Sequence, residues 1–255
     1  MPTSEHIYYF SSKEESNHCP PVILIHGAGG DYLHWPHHIR RMPGYRVYAL
    51  DLPGHGKSGG IGHQKVGEYA REVSELMSRI ELYRAVIVGH SMGGAIAQTL
   101  ALEYPDRVIG LGLVGTGARL RVNPDLLEKL SMETTFPAAV NMVMKWSYAP
   151  GMDEDHLTQV KRQLLSNRPA VMYGDYLACN RFDIMDIVKD IQVPVCIVCG
   201  EDDKMTPPKF SEYLHNAIPK STLTLIPGAG HMVMLECPEV LAQTLFAFFE
   251  ELPYP

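Results

Sequence analysis

Ala85-Val86-Ile87-Val88-Gly89-His90-Ser91-Met92-Gly93 is the stretch on which the reading of this chain turns. Its first four residues are apolar and three of them are β-branched, the pattern of a buried strand. Met92 to Tyr104 reads as a helix, with Gly94 and Ala95 small enough to pack close to the strand and Pro105 blocking its extension. The Gly-x-Ser-x-Gly between them predicts a tight strand-to-helix turn whose strained serine projects its hydroxyl above the sheet. Glycines two residues to either side of Ser91 remove side chains that would collide in such a turn. The five-residue pattern alone also suits a plain connecting turn, so any chemistry depends on partners elsewhere.

A neutral serine hydroxyl is a poor nucleophile; it needs a base within hydrogen-bond reach, and the base needs a buried carboxylate to fix its tautomer. Val193-Pro194-Val195-Cys196-Ile197-Val198-Cys199 reads as a buried strand that runs into Gly200-Glu201-Asp202-Asp203-Lys204-Met205-Thr206-Pro207. An acid at the carboxyl end of a strand lies on the ligand side of a parallel sheet. The next strand, Ser221 to Ile226, leads into Pro227-Gly228-Ala229-Gly230-His231, where two glycines let the loop fold tightly and present one imidazole. His231 is the candidate base.

Two further motifs, His26-Gly27-Ala28-Gly29-Gly30 and Asp51-Leu52-Pro53-Gly54-His55-Gly56-Lys57-Ser58, complete a set that spans nearly the whole chain. Together the segments resemble those of the α/β-hydrolase family, in which the chain order is nucleophile, acid, histidine. The resemblance implies Ser91 as nucleophile, His231 as base and, as the third residue after the glycine, Asp203 rather than Asp202 as the acid. It also implies an oxyanion hole made by the backbone amides of Ala28 and Met92, and the Met92 side chain is expected to line the pocket. Serine at the turn disfavours the dehalogenase and epoxide hydrolase branches, which place a carboxylate there. Gly27-Ala28-Gly29-Gly30 differs from the Gly-Gly-Pro-Gly of proline iminopeptidases. The expected activity is hydrolysis of carboxylic esters with small or medium, apolar acyl groups through an acyl-enzyme, with no cofactor and no metal. Lactonase, thioesterase, perhydrolase and carbon–carbon bond hydrolase activities need the same constellation and stay open, as does a hydrolase-like receptor for a small ligand.

Composition narrows the field. The 255 residues are 45% hydrophobic and 20% charged, ordinary for a globular domain, and the net charge of −7 argues against nucleic acid as a partner. Ala85 to Leu102 carries no charge, yet His90, Ser91, Gln98 and Thr99 interrupt it and glycines cluster in its middle, so no membrane span is expected. Met1 to His6 lacks the features of a signal peptide, which makes a cytoplasmic location the default expectation. An odd count of five cysteines suggests no disulfide framework, and Cys196-x-x-Cys199 falls inside a strand, where small core residues are expected. Twelve histidines show no metal-ligand spacing; His26 and His90 are expected to satisfy backbone groups near the turn, and His55 to be structural. The expected partner is a small-molecule ester, and no motif encodes the oligomeric state.

Further strands are expected at Ile7 to Phe10, Val22 to His26, Tyr45 to Leu50 and Val108 to Val114, with an amphipathic helix over Lys65 to Ile80. Strands alternating with helices predict an α/β fold with a mostly parallel sheet covered on both faces. From Gly115 to about Asp186 the alternation gives way to helical patterns, read as an inserted helical lid. The chain then divides into a core of residues 1–116, a lid of 117–186 and a second core part of 187–255. Met132, Phe136, Met142, Met144, Trp146, Tyr148, Met172, Tyr173 and Tyr176 either join the lid helices to one another or wall an apolar pocket, with about a third facing substrate.

Overall fold

In a computed structural model, which describes residues 7–12 and 19–254, the apolar runs become a seven-stranded sheet. The expectation for Met1 to His6 lies outside the described residues. The chain begins with β1 (Tyr9–Ser11), β2 (Val22–Ile25), α1 (His37–Arg40), β3 (Val47–Leu50) and α2 (Val66–Arg79). It continues through β4 (Ala85–His90), α3 (Met92–Glu103) and β5 (Val108–Val114) to four successive helices: α4 (Pro124–Leu130), α5 (Phe136–Ser147), α6 (Glu154–Leu165) and α7 (Pro169–Arg181). β6 (Val195–Gly200), α8 (Pro208–Ala217), β7 (Ser221–Ile226), α9 (Val233–Glu236) and α10 (Pro238–Glu250) complete it.

The strand order is β1-β3-β2-β4-β5-β6-β7, all parallel except β1, which pairs antiparallel with β3 at one edge. β2 therefore lies between β3, which follows it in the chain, and β4, where the winding reverses. Crevices at such reversals, outside the carboxyl ends of the strands, are where open α/β sheets bind ligands. Ile25 pairs with Gly89 and His90 with Val114, so the loops after β2, β4 and β5 leave the sheet together.

Alternation of side chains along each strand supplies both faces with apolar surface. Val22 and Leu24 join a cluster with α1, α10 and most of the inserted helices, whereas Ile23 and Ile25 join α2, α3 and α8 on the other side. On α2, Tyr69, Val73, Leu76 and Met77 are wholly buried against the sheet, each worth about 1.5–3 kcal/mol of hydrophobic stabilisation. Observed strand ends depart from the expected ones for local reasons. Tyr45 donates its N–H to Met42 in a turn, so β3 starts only at Val47. Pro194 has no N–H to pair, and β6 starts at Val195.

Helices α4–α7 interrupt the α/β alternation between β5 and β6, and an antiparallel bridge between Arg119 and Asp183 closes the stem of the insert. Cys196 and Cys199 are free and buried in β6; burial pushes their thiols up to about 11 and about 12, which keeps them protonated as core residues. Among the described residues no helix is long and apolar enough to cross a membrane.

The turn from β4 to α3 is the tightest backbone approach in the sheet. A Cβ on Gly89 would lie 2.1 Å from the carbonyl oxygen of Gly93, and one on Gly93 would lie 2.3 Å from that of Ile25. Both obstacles are backbone and have no rotamer to yield. Gly89→Ala is expected to destabilise the protein by more than about 3 kcal/mol, lowering the melting temperature by roughly 6–12 °C in a chain of this size; calorimetry or circular dichroism on the purified variant measures it.

Candidate active site

Ser91 sits between β4 and α3 with φ 53° and ψ −115°, one of two non-glycine residues with positive φ among those described. Such a conformation costs of order 1–3 kcal/mol and persists only where its surroundings dictate it. Here they do: the Ser91 N–H donates to the Val114 carbonyl (2.9 Å), and the Ser91 carbonyl accepts from the Thr116 hydroxyl (2.8 Å) and the Gly94 amide (2.9 Å). The side chain is left at the wall of a cavity of about 360 Å³, which His231 and Ala28 also line.

Asp203, in the loop after β6, is buried and accepts four hydrogen bonds. The amides of Met205 and Thr206 donate to Oδ1 and the Thr206 hydroxyl to Oδ2, each at 2.8 Å, and His231 Nδ1 lies 2.8 Å from Oδ2. Burial works against the carboxylate, but the neighbouring His231 and these donors outweigh it and hold Asp203 below the ordinary carboxylate range. An ionised carboxylate only accepts, so the proton of the neutral imidazole resides on Nδ1 and Nε2 keeps its lone pair. Asp202, one residue earlier, is exposed.

The histidine loop is held from three directions that no local motif announces. His90 Nε2 donates to the His231 carbonyl (3.0 Å), with the two rings 4.6 Å apart. The amides of His231 and Met232 donate to the carbonyl of Ser147 at the end of α5 (2.9 and 3.1 Å). Glu236 accepts from the amides of Gly230 (3.0 Å), Met232 (3.1 Å) and Ala149 (2.8 Å), so one carboxylate ties the loop to the inserted helices. Thr206, three residues beyond Asp203 in the same motif, is the one such partner that a search for local hydroxyl donors to the acid would have found.

The loop after β2 lies against the serine: a Cβ on Gly27 would be 3.1 Å from Ser91 Cβ. His26 orients that loop. Its Nε2 accepts the Leu52 N–H (3.0 Å), so Nδ1 carries the hydrogen and donates to the Gly27 carbonyl (2.7 Å), which also accepts from the Gly30 amide (3.1 Å). The Gly27 carbonyl and the Ala28 N–H share one planar peptide; anchoring the oxygen aims the hydrogen. Burial, followed by repulsion from His55, lowers the His26 pKa well below that of a free imidazole and keeps the ring neutral for this task. Met92 supplies the first N–H of α3, one of the amides a helix leaves unpaired. Its side chain does not line the pocket as expected. It is wholly buried in the core that α2 and α3 form with Ile23, Ile25 and Ile87 of the sheet.

The inserted helices roof the cavity. Of the nine methionines and aromatics singled out there, Met144, Trp146, Tyr148 and Tyr176 line it, whereas Phe136 and Met172 are buried in the packing and Met132 is exposed. His55 is structural in a sense the sequence does not disclose: its ring pairs with Asp175 on α7.

Comparison with known proteins identifies the family of this fold. The model of the alpha/beta hydrolase family matches residues 22–244. The chain is similar to a solved thermophilic esterase at 36% identity and a TM-score of 0.85, covering 96% of this chain and 93% of that one. It is 30% identical to a pimeloyl-[acyl-carrier protein] methyl ester esterase of Neisseria meningitidis over 90% of this chain and 92% of the relative. It is 29% identical to a 2-hydroxy-6-oxo-6-phenylhexa-2,4-dienoate hydrolase of Burkholderia cepacia, over 84% and 82%. Two further relatives are longer proteins, of which the chain spans 64% and 57%. The chain belongs to the alpha/beta hydrolase family.

Proposed function

We propose that this protein is a serine carboxylesterase acting on small or medium, apolar acyl groups. The observation that carries the reading is the hydrogen bond from His231 Nδ1 to the buried Asp203, which leaves Nε2 as the basic atom on the cavity that Ser91 and Ala28 share. In the proposed cycle Ser91 Oγ bonds to the ester carbonyl carbon while its proton passes to His231 Nε2. The carbonyl π pair moves to oxygen, where the amides of Ala28 and Met92 receive the negative charge. As the tetrahedral centre collapses, the bond to the alcohol oxygen breaks and the proton on Nε2 goes to that oxygen. Water, giving its proton to Nε2, then attacks the acyl-enzyme and Ser91 leaves with the proton restored. Asp203 keeps the imidazole in the required tautomer and stabilises its cationic form.

The largely apolar roof and the similarity to esterases favour an ester substrate over a peptide. A second reading, hydrolysis of a carbon–carbon bond, draws on the similarity to the dienoate hydrolase and uses the same residues. A panel of p-nitrophenyl esters of graded chain length, run beside a 2-hydroxy-6-oxo-dienoate, separates the two: the esterase reading expects turnover of short and medium esters and no cleavage of the dienoate. The converse result would transfer the assignment.

Ser91→Ala is expected to lower kcat by about 10⁴-fold or more without unfolding the protein, and retention of most activity would remove Ser91 from the mechanism. Because glycine tolerates the backbone conformation at residue 91 and alanine does not, Ser91→Gly is expected to melt roughly 2–4 °C above Ser91→Ala.

Acid should abolish activity before it unfolds the chain. A protonated imidazole accepts no proton, so acid that protonates His231 removes the base and kcat/KM falls. The pKa of Asp203 is depressed in the folded state, so its contribution to stability is present above the ordinary carboxylate value and disappears only as the pH falls through the lower one. Parallel pH profiles of kcat/KM and melting temperature are expected to separate in that order. Coincident losses would contradict the base assignment.

A further inference from the structure

Asp175 projects from α7 of the insert into the seam with the core, wholly buried, 120 residues away in sequence from His55 and 146 from Gly29. Its Oδ2 accepts from the amide of Gly29 (2.9 Å) and from His55 Nε2 (2.7 Å), and its Oδ1 accepts the hydroxyl of Tyr69 (2.6 Å). The other ring nitrogen of His55 faces the Pro53 carbonyl at 3.1 Å. A carbonyl and a carboxylate are both acceptors, so His55 satisfies the two contacts only by carrying a hydrogen on each nitrogen, as a buried imidazolium paired with Asp175. Burial opposes that charge, but Asp175 outweighs it and the His55 pKa stands above the ordinary imidazole value. This charge pair is costly to build and is more than a tie between two helices requires.

What it fixes is the backbone of residue 29. While Asp175 takes the Gly29 N–H, Asn167 at the junction of α6 and α7 donates its Nδ2 to the Gly29 carbonyl (2.9 Å), and Gln163 on α6 reaches Asp31 Oδ2 (2.6 Å). The segment from Gly29 to Asp31 is thereby gripped from above by the insert, and the residue immediately before it is Ala28. We propose that Asp175 and Asn167 are positioning residues for the oxyanion hole: the insert, besides roofing the cavity, clamps both polar groups of Gly29 and so holds the Ala28 amide on the reacting carbonyl. The proposal rests on the esterase reading for the role of Ala28. On this reading the α6–α7 half of the insert belongs to the catalytic scaffold, as the end of α5 does through Ser147, and must stay docked during turnover.

Asp175→Ala, which leaves Gly29 N–H without its acceptor and frees His55 to lose its proton, is expected to lower kcat about 10- to 100-fold, the scale of a misplacement near 1 Å. KM should stay within about threefold, and affinity for a boronic acid transition-state analogue should fall in parallel with kcat/KM. Asp175→Asn, whose amide oxygen can still accept from Gly29, is expected to recover most of kcat. A residue with a merely structural role would shift melting temperature without this pattern. A folded Asp175→Ala with parental kcat and analogue affinity, or with its loss confined to KM, overturns the proposal. If Asp175→Ala does not fold, the half-buried Asn167→Ala carries the test, with an expected several-fold loss of kcat; no loss overturns it. Amide exchange at Gly29, followed in ¹⁵N-glycine-labelled protein, needs no turnover. Faster exchange in either variant supports the clamp and unchanged exchange refutes it, even if the parent protein proves to lack Ser91-dependent esterase activity and the functional reading falls.

Discussion

The positive φ of Ser91 is the constraint around which the site is arranged. Left alone, a serine with φ 53° and ψ −115° would relax, and relaxation would swing its hydroxyl off the cavity. Hydrogen bonds from β5 and from Thr116 oppose that relaxation. At about 0.5–1.5 kcal/mol net for each, a few such bonds match the strain they resist. Close packing does the rest, because α3 can follow β4 so abruptly only where Gly89 and Gly93 have no side chains. The parallel sheet contributes by bringing the ends of β2, β4 and β5 level, so that the turn, the Gly27–Gly30 loop and Gly115 emerge side by side.

Proton placement is decided by neighbours in the same way. Each buried histidine around the site faces a different pair of groups, and these set where its hydrogens lie. His26 lies between an amide and a carbonyl and is neutral with its hydrogen on Nδ1. His90 donates to a carbonyl, and burial followed by the adjacent His231 pushes its pKa well down. His55, between a carbonyl and a carboxylate, is charged. His231 alone directs one nitrogen to a carboxylate while its ring borders the cavity. Burial disfavours the cation at His26 and His90, and at His55 the carboxylate of Asp175 outweighs it.

Much of this arrangement is legible in the sequence because it is local. Gly89-His90-Ser91-Met92-Gly93 forms its turn within five residues, Asp203 receives three of its four donors from the next three positions, and apolar runs mark β4, β5 and β6. Helices α8 and α10 lack a local start signal, since each begins at a proline with no side-chain cap. The pairing of Asp175 with His55 is invisible for a different reason. It joins residues 120 positions apart, and neither the lid helix nor the Gly-rich turn gives any local sign of a charge that will be buried. The Met92 side chain misleads because adjacency in sequence to Ser91 does not carry it to the cavity; it packs in the core with α2 and α3.

The central claim is that Ser91, His231 and the amides of Ala28 and Met92 address one carbonyl. A crystal structure of the protein after reaction with an alkyl p-nitrophenyl phosphonate tests it most directly. The account predicts a single covalent adduct on Ser91 Oγ, with the phosphoryl oxygen about 2.7–3.1 Å from both amide nitrogens and His231 Nε2 within hydrogen-bond reach of the phosphonate centre. An adduct on another residue, or a phosphoryl oxygen turned away from Ala28 and Met92, would contradict it.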